Sequence, residues 1–259
     1  MGETVIDGSE FFYRERGSGP VALFIHGFPL DSSLWIEQLV ALRDVRRCVA
    51  PDLRGFGRSV PSIRPVLSMD EHADDLVDLL DALGIDLVDL VGLSMGGYVS
   101  LAFAERHSER LRSLVLVDTK ATADSDEARA GRDRMAAKVV AQSREAIIAD
   151  LMPVLVAGTA STWLEGRVRQ MVTETRVETI VAAAEGMKLR PDRTGVLGEI
   201  DVPVAVIVGE QDVLIPPAEA RAMAEAVGAT LTVIPDAGHM SPIEQPGAVT
   251  EALREFWTA

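Results

Sequence analysis

The sequence predicts an α/β protein: a mostly parallel, doubly wound sheet with a helical cap inserted over one edge. Three observations predict it. Short apolar runs recur at 21–25, 87–91, 113–117 and 202–208, and runs of that kind suit strands buried on both faces of a sheet. Segments of helical periodicity alternate with them across short connections, the order a parallel sheet requires. The rhythm breaks only between 119 and 192, a segment rich in Ala, Arg, Glu and Met with no convincing strand. Such a length far exceeds an ordinary connection of ~4–6 residues, so it must carry structure of its own. The expected organisation is a core of 1–118 with 193–259, and a helical cap of 119–192.

Taken in order, 11–16 reads as an early strand, and Gly17-Ser18-Gly19-Pro20 as the turn after it. The buried run 21–25 leads into His26-Gly27-Phe28-Pro29. Ser32 or Ser33 caps a helix expected over 34–42. A strand over 47–51 ends in Asp52-Leu53-Arg54-Gly55-Phe56-Gly57-Arg58-Ser59. Ser68 caps a long helix whose Leu76, Val77, Leu79, Leu80 and Leu83 recur at helical spacing, and Gly84 ends it. Strand 87–91 then turns sharply through Gly92-Leu93-Ser94-Met95-Gly96-Gly97 into a helix to 106. After the cap segment, 202–208 ends in Gly209-Glu210-Gln211-Asp212, and Pro216 and Pro217 open a helix. Strand 230–234 ends in Pro235-Asp236-Ala237-Gly238-His239, and the final helix covers 244–256.

Charge and composition narrow the function. The net charge of −15 opposes binding to nucleic acid or an anionic membrane. The single cysteine, Cys48, excludes an internal disulfide and a cysteine metal cluster. No histidine pair has metal-ligand spacing, and Gly55-Phe56-Gly57 lacks the third glycine of a dinucleotide fingerprint. No cofactor and no metal are expected. The acidic first residues lack the apolar core of a signal peptide, and no run reaches the ~20 apolar residues of a membrane span. The expected location is the cytoplasm; the oligomeric state is not legible.

The turn around Ser94 focuses the chemistry. Glycines two places to either side permit a tight strand-to-helix turn that strains the serine and lifts its hydroxyl clear of the sheet. A serine hydroxyl needs a base, and the base needs a partner to fix its tautomer. Of the four histidines, His72 lies in the first turn of a helix and His107 at a helix end. His26 sits at a strand end and suits a structural or pocket-shaping role. His239, in a loop after the last strand, is the best base. Asp212 is favoured as the acid over Asp118, with Glu210 a distant third. The backbone N–H groups of Met95 and Phe28 are the natural oxyanion donors.

Together, His26-Gly27-Phe28-Pro29, the Asp52–Ser59 loop, the turn at Ser94, Gly209-Glu210-Gln211-Asp212 and Ala237-Gly238-His239 resemble the α/β-hydrolase superfamily over nearly the whole chain. The resemblance implies Ser94 as nucleophile, Asp212 as acid, His239 as base, and Phe28 and Met95 as oxyanion donors. The nearest subgroup is the small-cap esterases and lactonases, similar to 3-oxoadipate enol-lactonases. Haloalkane dehalogenases and epoxide hydrolases look alike but carry aspartate at the position of Ser94, so serine argues for acyl transfer to water.

The expected function is hydrolysis of a small carboxylic ester or lactone through an acyl-enzyme. C–C bond hydrolysis and cofactor-free perhydrolysis use the same triad, and a slow-turnover ligand sensor on a hydrolase fold is the alternative outside catalysis. Substrate choice lies in the cap. His26, Trp163, Met187 and Lys188 are candidate pocket residues, alongside Met135, Met152 and Leu155, with Lys188 or Arg190 placed to meet a substrate carboxylate.

Overall fold

The computed structural model describes residues 2–6, 9–59 and 64–258. Eight strands form one sheet: β1 (Gly2–Ile6), β2 (Ser9–Arg16), β3 (Val21–Ile25), β4 (Arg47–Pro51), β5 (Val88–Leu93), β6 (Leu111–Val117), β7 (Val204–Gly209) and β8 (Thr230–Ile234). Their spatial order is β1-β2-β4-β3-β5-β6-β7-β8. The first two pairings are antiparallel and the other five parallel.

Burial explains that arrangement. Every residue of β3 and β5 is buried, as central strands covered on both faces must be. The edge strand β8 is mostly part-exposed. The edge strand β1, which sequence reasoning missed, has no continuous apolar run; it is held by its register against β2, where Thr4 faces Phe11.

Helices α1 (Ile36–Ala41), α2 (Met69–Ala82), α3 (Met95–Arg106), α8 (Pro217–Val227), α9 (Ser241–Glu244) and α10 (Pro246–Thr258) flank the sheet. Ser68 caps α2 through a capping box with Glu71. The expected helix over 34–42 is instead a 3₁₀ turn, Ser32–Trp35, followed by α1. Its cap is Asp31, whose carboxylate accepts the Ser33 N–H at 2.7 Å, not Ser32 or Ser33. The expected last helix is two pieces, broken at Gln245 before Pro246 because a proline disfavours helical geometry in the residue before it.

Between β6 and β7 the chain makes four helices and no strand: α4 (Asp126–Ala141), α5 (Arg144–Leu155), α6 (Thr162–Glu174) and α7 (Val177–Leu189). They are fastened to the loops at the carboxyl ends of the strands. The Thr175 hydroxyl donates to Pro29 O at 2.9 Å, and that of Thr179 to Gly55 O at 2.8 Å. Leu67 N–H donates to Ala182 O at 3.0 Å, and a side chain at Gly186 would collide with the Leu67 carbonyl. Arg167 reaches the Glu37 carboxylate and the Ser33 carbonyl. Among the described residues no helix is long and apolar enough to cross a membrane.

Candidate active site

Ser94 joins β5 to α3 in a left-handed conformation, φ 54°, which a non-glycine residue adopts at a cost of about 1–3 kcal/mol. Its surroundings impose it. A Cβ at Gly92 would overlap the Gly96 carbonyl, and one at Gly96 the Ile25 carbonyl. The Ser94 N–H donates to Val117 O at 3.0 Å, and its carbonyl accepts from the Thr119 hydroxyl at 2.8 Å. Met95 follows as the first residue of α3, so its N–H has no acceptor within the helix and lies at the positive end of the helix dipole.

Three loops bring the remaining groups together. His239 Nε2 lies 2.8 Å from Ser94 Oγ, and Nδ1 lies 2.8 Å from Asp212 Oδ2. A carboxylate only accepts, so Nδ1 carries the proton and Nε2 offers its lone pair to the hydroxyl. Asp212 is itself fixed: Oδ1 accepts the N–H groups of Leu214 at 2.8 Å and Ile215 at 2.9 Å. Burial disfavours the imidazolium of His239, but the Asp212 carboxylate bonded to it, together with the nearby acids Asp118 and Glu244, outweighs burial, and the pKa is held above the ordinary 6.5.

The other acids separate by geometry. Asp118 is buried at the end of β6, accepts the Gly209 N–H at 2.7 Å and meets the Ser241 hydroxyl. Burial pushes its pKa up to about 8. The hydrogen bond to His239 Nδ1 belongs to Asp212. Glu210 is exposed and accepts from Asp236 N–H at 3.3 Å.

Glu244, which sequence reasoning missed, holds the histidine loop. Its Oε1 accepts the N–H groups of Gly238 and Met240, both at 3.0 Å, while Oε2 accepts the N–H of Ala157, between α5 and α6, at 2.8 Å. The loop and the inserted segment are packed so closely that a Cβ at Gly238 would meet the backbone at Val156 and Ala157.

Ser94 and His239 open onto a cavity of about 230 Å³. Phe28, Tyr98, Leu214 and Ile215 line it from the sheet side; Met135, Leu151, Leu155 and Met187 line it from α4, α5 and α7. Lys120, Asp124 and Arg132 supply its remaining charge.

Of the four expected pocket residues, Met187 lines this cavity and three lie elsewhere. His26 is fully buried with both ring nitrogens engaged, Nδ1 with Gly27 O at 2.9 Å and Nε2 accepting the Leu53 N–H at 3.0 Å. It joins two loops, and burial lowers its pKa. Trp163 is 67% exposed on α6, its ring beneath the Arg167 guanidinium. Lys188 is paired with Asp133 and Glu185. Arg190 is buried against Asp124 and does not line the cavity. Met152, also expected, is absent from the lining.

Two of the missed residues had a signal: Tyr98 lies four places after Ser94, one helical turn on, and Ile215 lies three after Asp212. Arg132 had none.

These features place a strained serine turn, a histidine and a carboxylate at one edge of a mostly parallel sheet, and the chain belongs to the α/β-hydrolase fold family, whose description its residues 20–246 match. It is 39% identical to a thermophilic esterase from Thermogutta terrifontis, whose structure, described as malate-bound, superposes with a TM-score of 0.96 over 100% of this chain and 98% of that one. The enol-lactonase from Burkholderia xenovorans LB400 gives 27% identity and a TM-score of 0.92 over the whole of both chains. Over 93% of its length the chain is 33% identical to the dihydrolipoyllysine-residue acetyltransferase component of an acetoin cleaving system from Pseudomonas putida, and it spans 64% of that relative. An α/β-hydrolase enzyme of the esterase or lactonase type fits these comparisons.

Proposed function

We propose that the protein hydrolyses a small carboxylic ester or lactone through an acyl-enzyme formed on Ser94. The observation that carries the reading is the unbroken chain Asp212–His239–Ser94, two hydrogen bonds of 2.8 Å opening on a cavity. In the first step Ser94 Oγ bonds to the substrate carbonyl carbon while His239 Nε2 takes the hydroxyl proton. Asp212 stabilises the imidazolium so formed. The N–H groups of Met95 and Phe28 receive the oxyanion. Collapse expels the alcohol oxygen, which takes the proton from His239. Water then repeats the sequence on the acyl-enzyme and releases the acid. Residues 119–192 act in this reading as the cap that selects the acyl or alcohol group, over a body of 1–118 and 193–259.

Two measurements test it. Ser94→Ala is expected to lower kcat on a p-nitrophenyl ester by roughly 10⁴-fold or more, because the triad acts as a unit. A fluorophosphonate is expected to phosphonylate Ser94 and nowhere else, adding the reagent's mass less that of the HF released as Oγ displaces fluoride. Undiminished turnover by Ser94→Ala overturns the reading.

A further inference from the structure

We propose that Lys120 and Arg132 form an anion site in the wall of the Ser94 cavity, selecting substrates that carry a carboxylate besides the scissile ester or lactone. The proposal rests on the hydrolase reading above and names the substrate class of the same site.

The charge of the cavity runs against that of the protein. The chain carries 40 acidic against 25 basic residues. Yet among the described residues the only carboxylate lining this cavity is Asp124, and two cations, Lys120 and Arg132, line it too. A third, Arg190, stacks on the lining residue Tyr98, 3.9 Å from the ring centroid. Asp124 is already answered: Arg132 Nε donates to it, and Arg190 Nη1 donates at 2.6 Å. It has little charge left for Lys120.

Both proposed donors have N–H groups to spare, although Arg132 spends Nε and Nη2 on Asp124. Arg132 Nη1 donates to the thioether of Met187 at 3.3 Å, and a thioether is a weak acceptor. A carboxylate oxygen at the same place makes a charge-assisted hydrogen bond about twice as strong as a neutral one. Lys120 is half-buried just beyond β6, and among the described residues it makes no ion pair or hydrogen bond. An ammonium partly withdrawn from water, with an arginine on the same cavity, sits where an anion is attracted more strongly than in bulk solvent. A neutral ester leaves Lys120 without a charged partner and Arg132 Nη1 on the thioether. Met135, Leu151 and Leu155 supply apolar wall for the carbon chain between the two ends of the substrate.

Binding tests this apart from turnover. The full-length Ser94→Ala protein is titrated calorimetrically with glutarate and with its neutral diamide. Glutarate is expected to bind the more tightly, with an affinity that falls as salt rises from 50 to 500 mM. Adding Lys120→Met is expected to weaken glutarate about tenfold or more, and Lys120→Arg to recover most of the loss. Lys138→Met, which removes a lysine paired with Asp150 outside the cavity, serves as control and leaves binding unchanged. Equal affinity for glutarate and the diamide, or undiminished glutarate binding in Lys120→Met, overturns the proposal. In Ser94-intact protein, the ratio of kcat/KM for the mono-p-nitrophenyl ester of glutarate over p-nitrophenyl valerate falls about tenfold in Lys120→Met. If neither ester is hydrolysed while glutarate binding still depends on Lys120, the hydrolase reading fails and the anion site stands.

Discussion

The carboxyl edge of the sheet and the inserted helices face the same cavity, yet they are built by different rules. At the edge, Ser94 directly follows β5 and Asp212 follows β7 by three residues, behind strands that are buried almost throughout. Neighbouring strands tie the backbone there: Ser94 N–H to Val117, Asp118 N–H to Ile207, Glu210 N–H to Ile234. The inserted helices lack that support. Val139 is the one buried residue of the sixteen in α4, the helix that brings Arg132 and Met135 to the cavity. The other three bury more, and they are seated by that packing, by the Thr175 and Thr179 bonds to loop carbonyls and by the Leu67–Ala182 backbone bond. In the proposed function the difference assigns labour: the edge holds the reacting groups to fixed distances, and the helices set what reaches them.

The largest expected contrast is between an edge variant and a helix variant. Asp212→Asn keeps the side-chain shape but removes the carboxylate that fixes the tautomer and stabilises the imidazolium, so kcat is expected to drop about 10³–10⁴-fold in ester turnover. The same substitution sharpens the pH dependence. In the proposed mechanism His239 acts as base when neutral, and with its pKa held above 6.5, kcat/KM of the parent is expected to fall as pH drops through a midpoint above that value. Without Asp212 the residual activity is expected to show this limb at lower pH.

Next comes the bond between the two regions. Glu244→Ala leaves three N–H groups without their shared acceptor, and kcat is expected to fall about 10–100-fold, since each unsatisfied buried donor costs about 1–3 kcal/mol. Glu244→Gln, which keeps the two acceptor positions only in part, is expected to lie between that variant and the parent.

His72 offers a stability test within the body. Among the described residues neither of its ring nitrogens has a hydrogen-bond partner, and burial presses its pKa down to about 3. The unfolded chain therefore takes up a proton below about 6.5 that the folded chain refuses, and stability is lost from there toward pH 3, by up to ~1.4 kcal/mol per pH unit. His72→Leu is expected to flatten this acid limb in thermal melts at pH 7, 5.5 and 4.5. The smallest effect is expected at Trp163. Trp163→Ala removes an exposed ring outside the cavity and is expected to alter stability by about 0.5 kcal/mol or less, with KM unchanged.

How far the sequence could be read follows the same division. The edge was legible because a parallel sheet puts the residue after each buried run on one side. Four loci far apart in the chain, at His26, Asp52, Ser94 and Asp118, could therefore be placed on one edge with no view of their contacts. The antiparallel strand β1 escaped because a short edge strand lacks such a run. In the helices, periodicity reveals an apolar stripe but not what faces it. Trp163 and Lys188 had the right chemistry for a pocket, yet α6 turns the first outward and Asp133 on α4 claims the second. Arg132 showed no pattern, because its place depends on Asp124, in the loop leading into α4, and on Met187, which only the packing of α4 against α7 brings near.

The carboxylate of Glu244 bears on how the chain can change. It grips the inserted segment through the backbone of Ala157, not through a side chain. Every amino acid but proline supplies that N–H. The helices can thus be rewritten residue by residue, and their wall of the cavity remade, while the clasp on the histidine loop persists. Position 157 excludes one substitution, proline, on account of that bond. Gly238, whose Cβ would strike the backbone it faces, is the less forgiving partner. New specificities can arise on one side of this contact without the catalytic side having to be rebuilt.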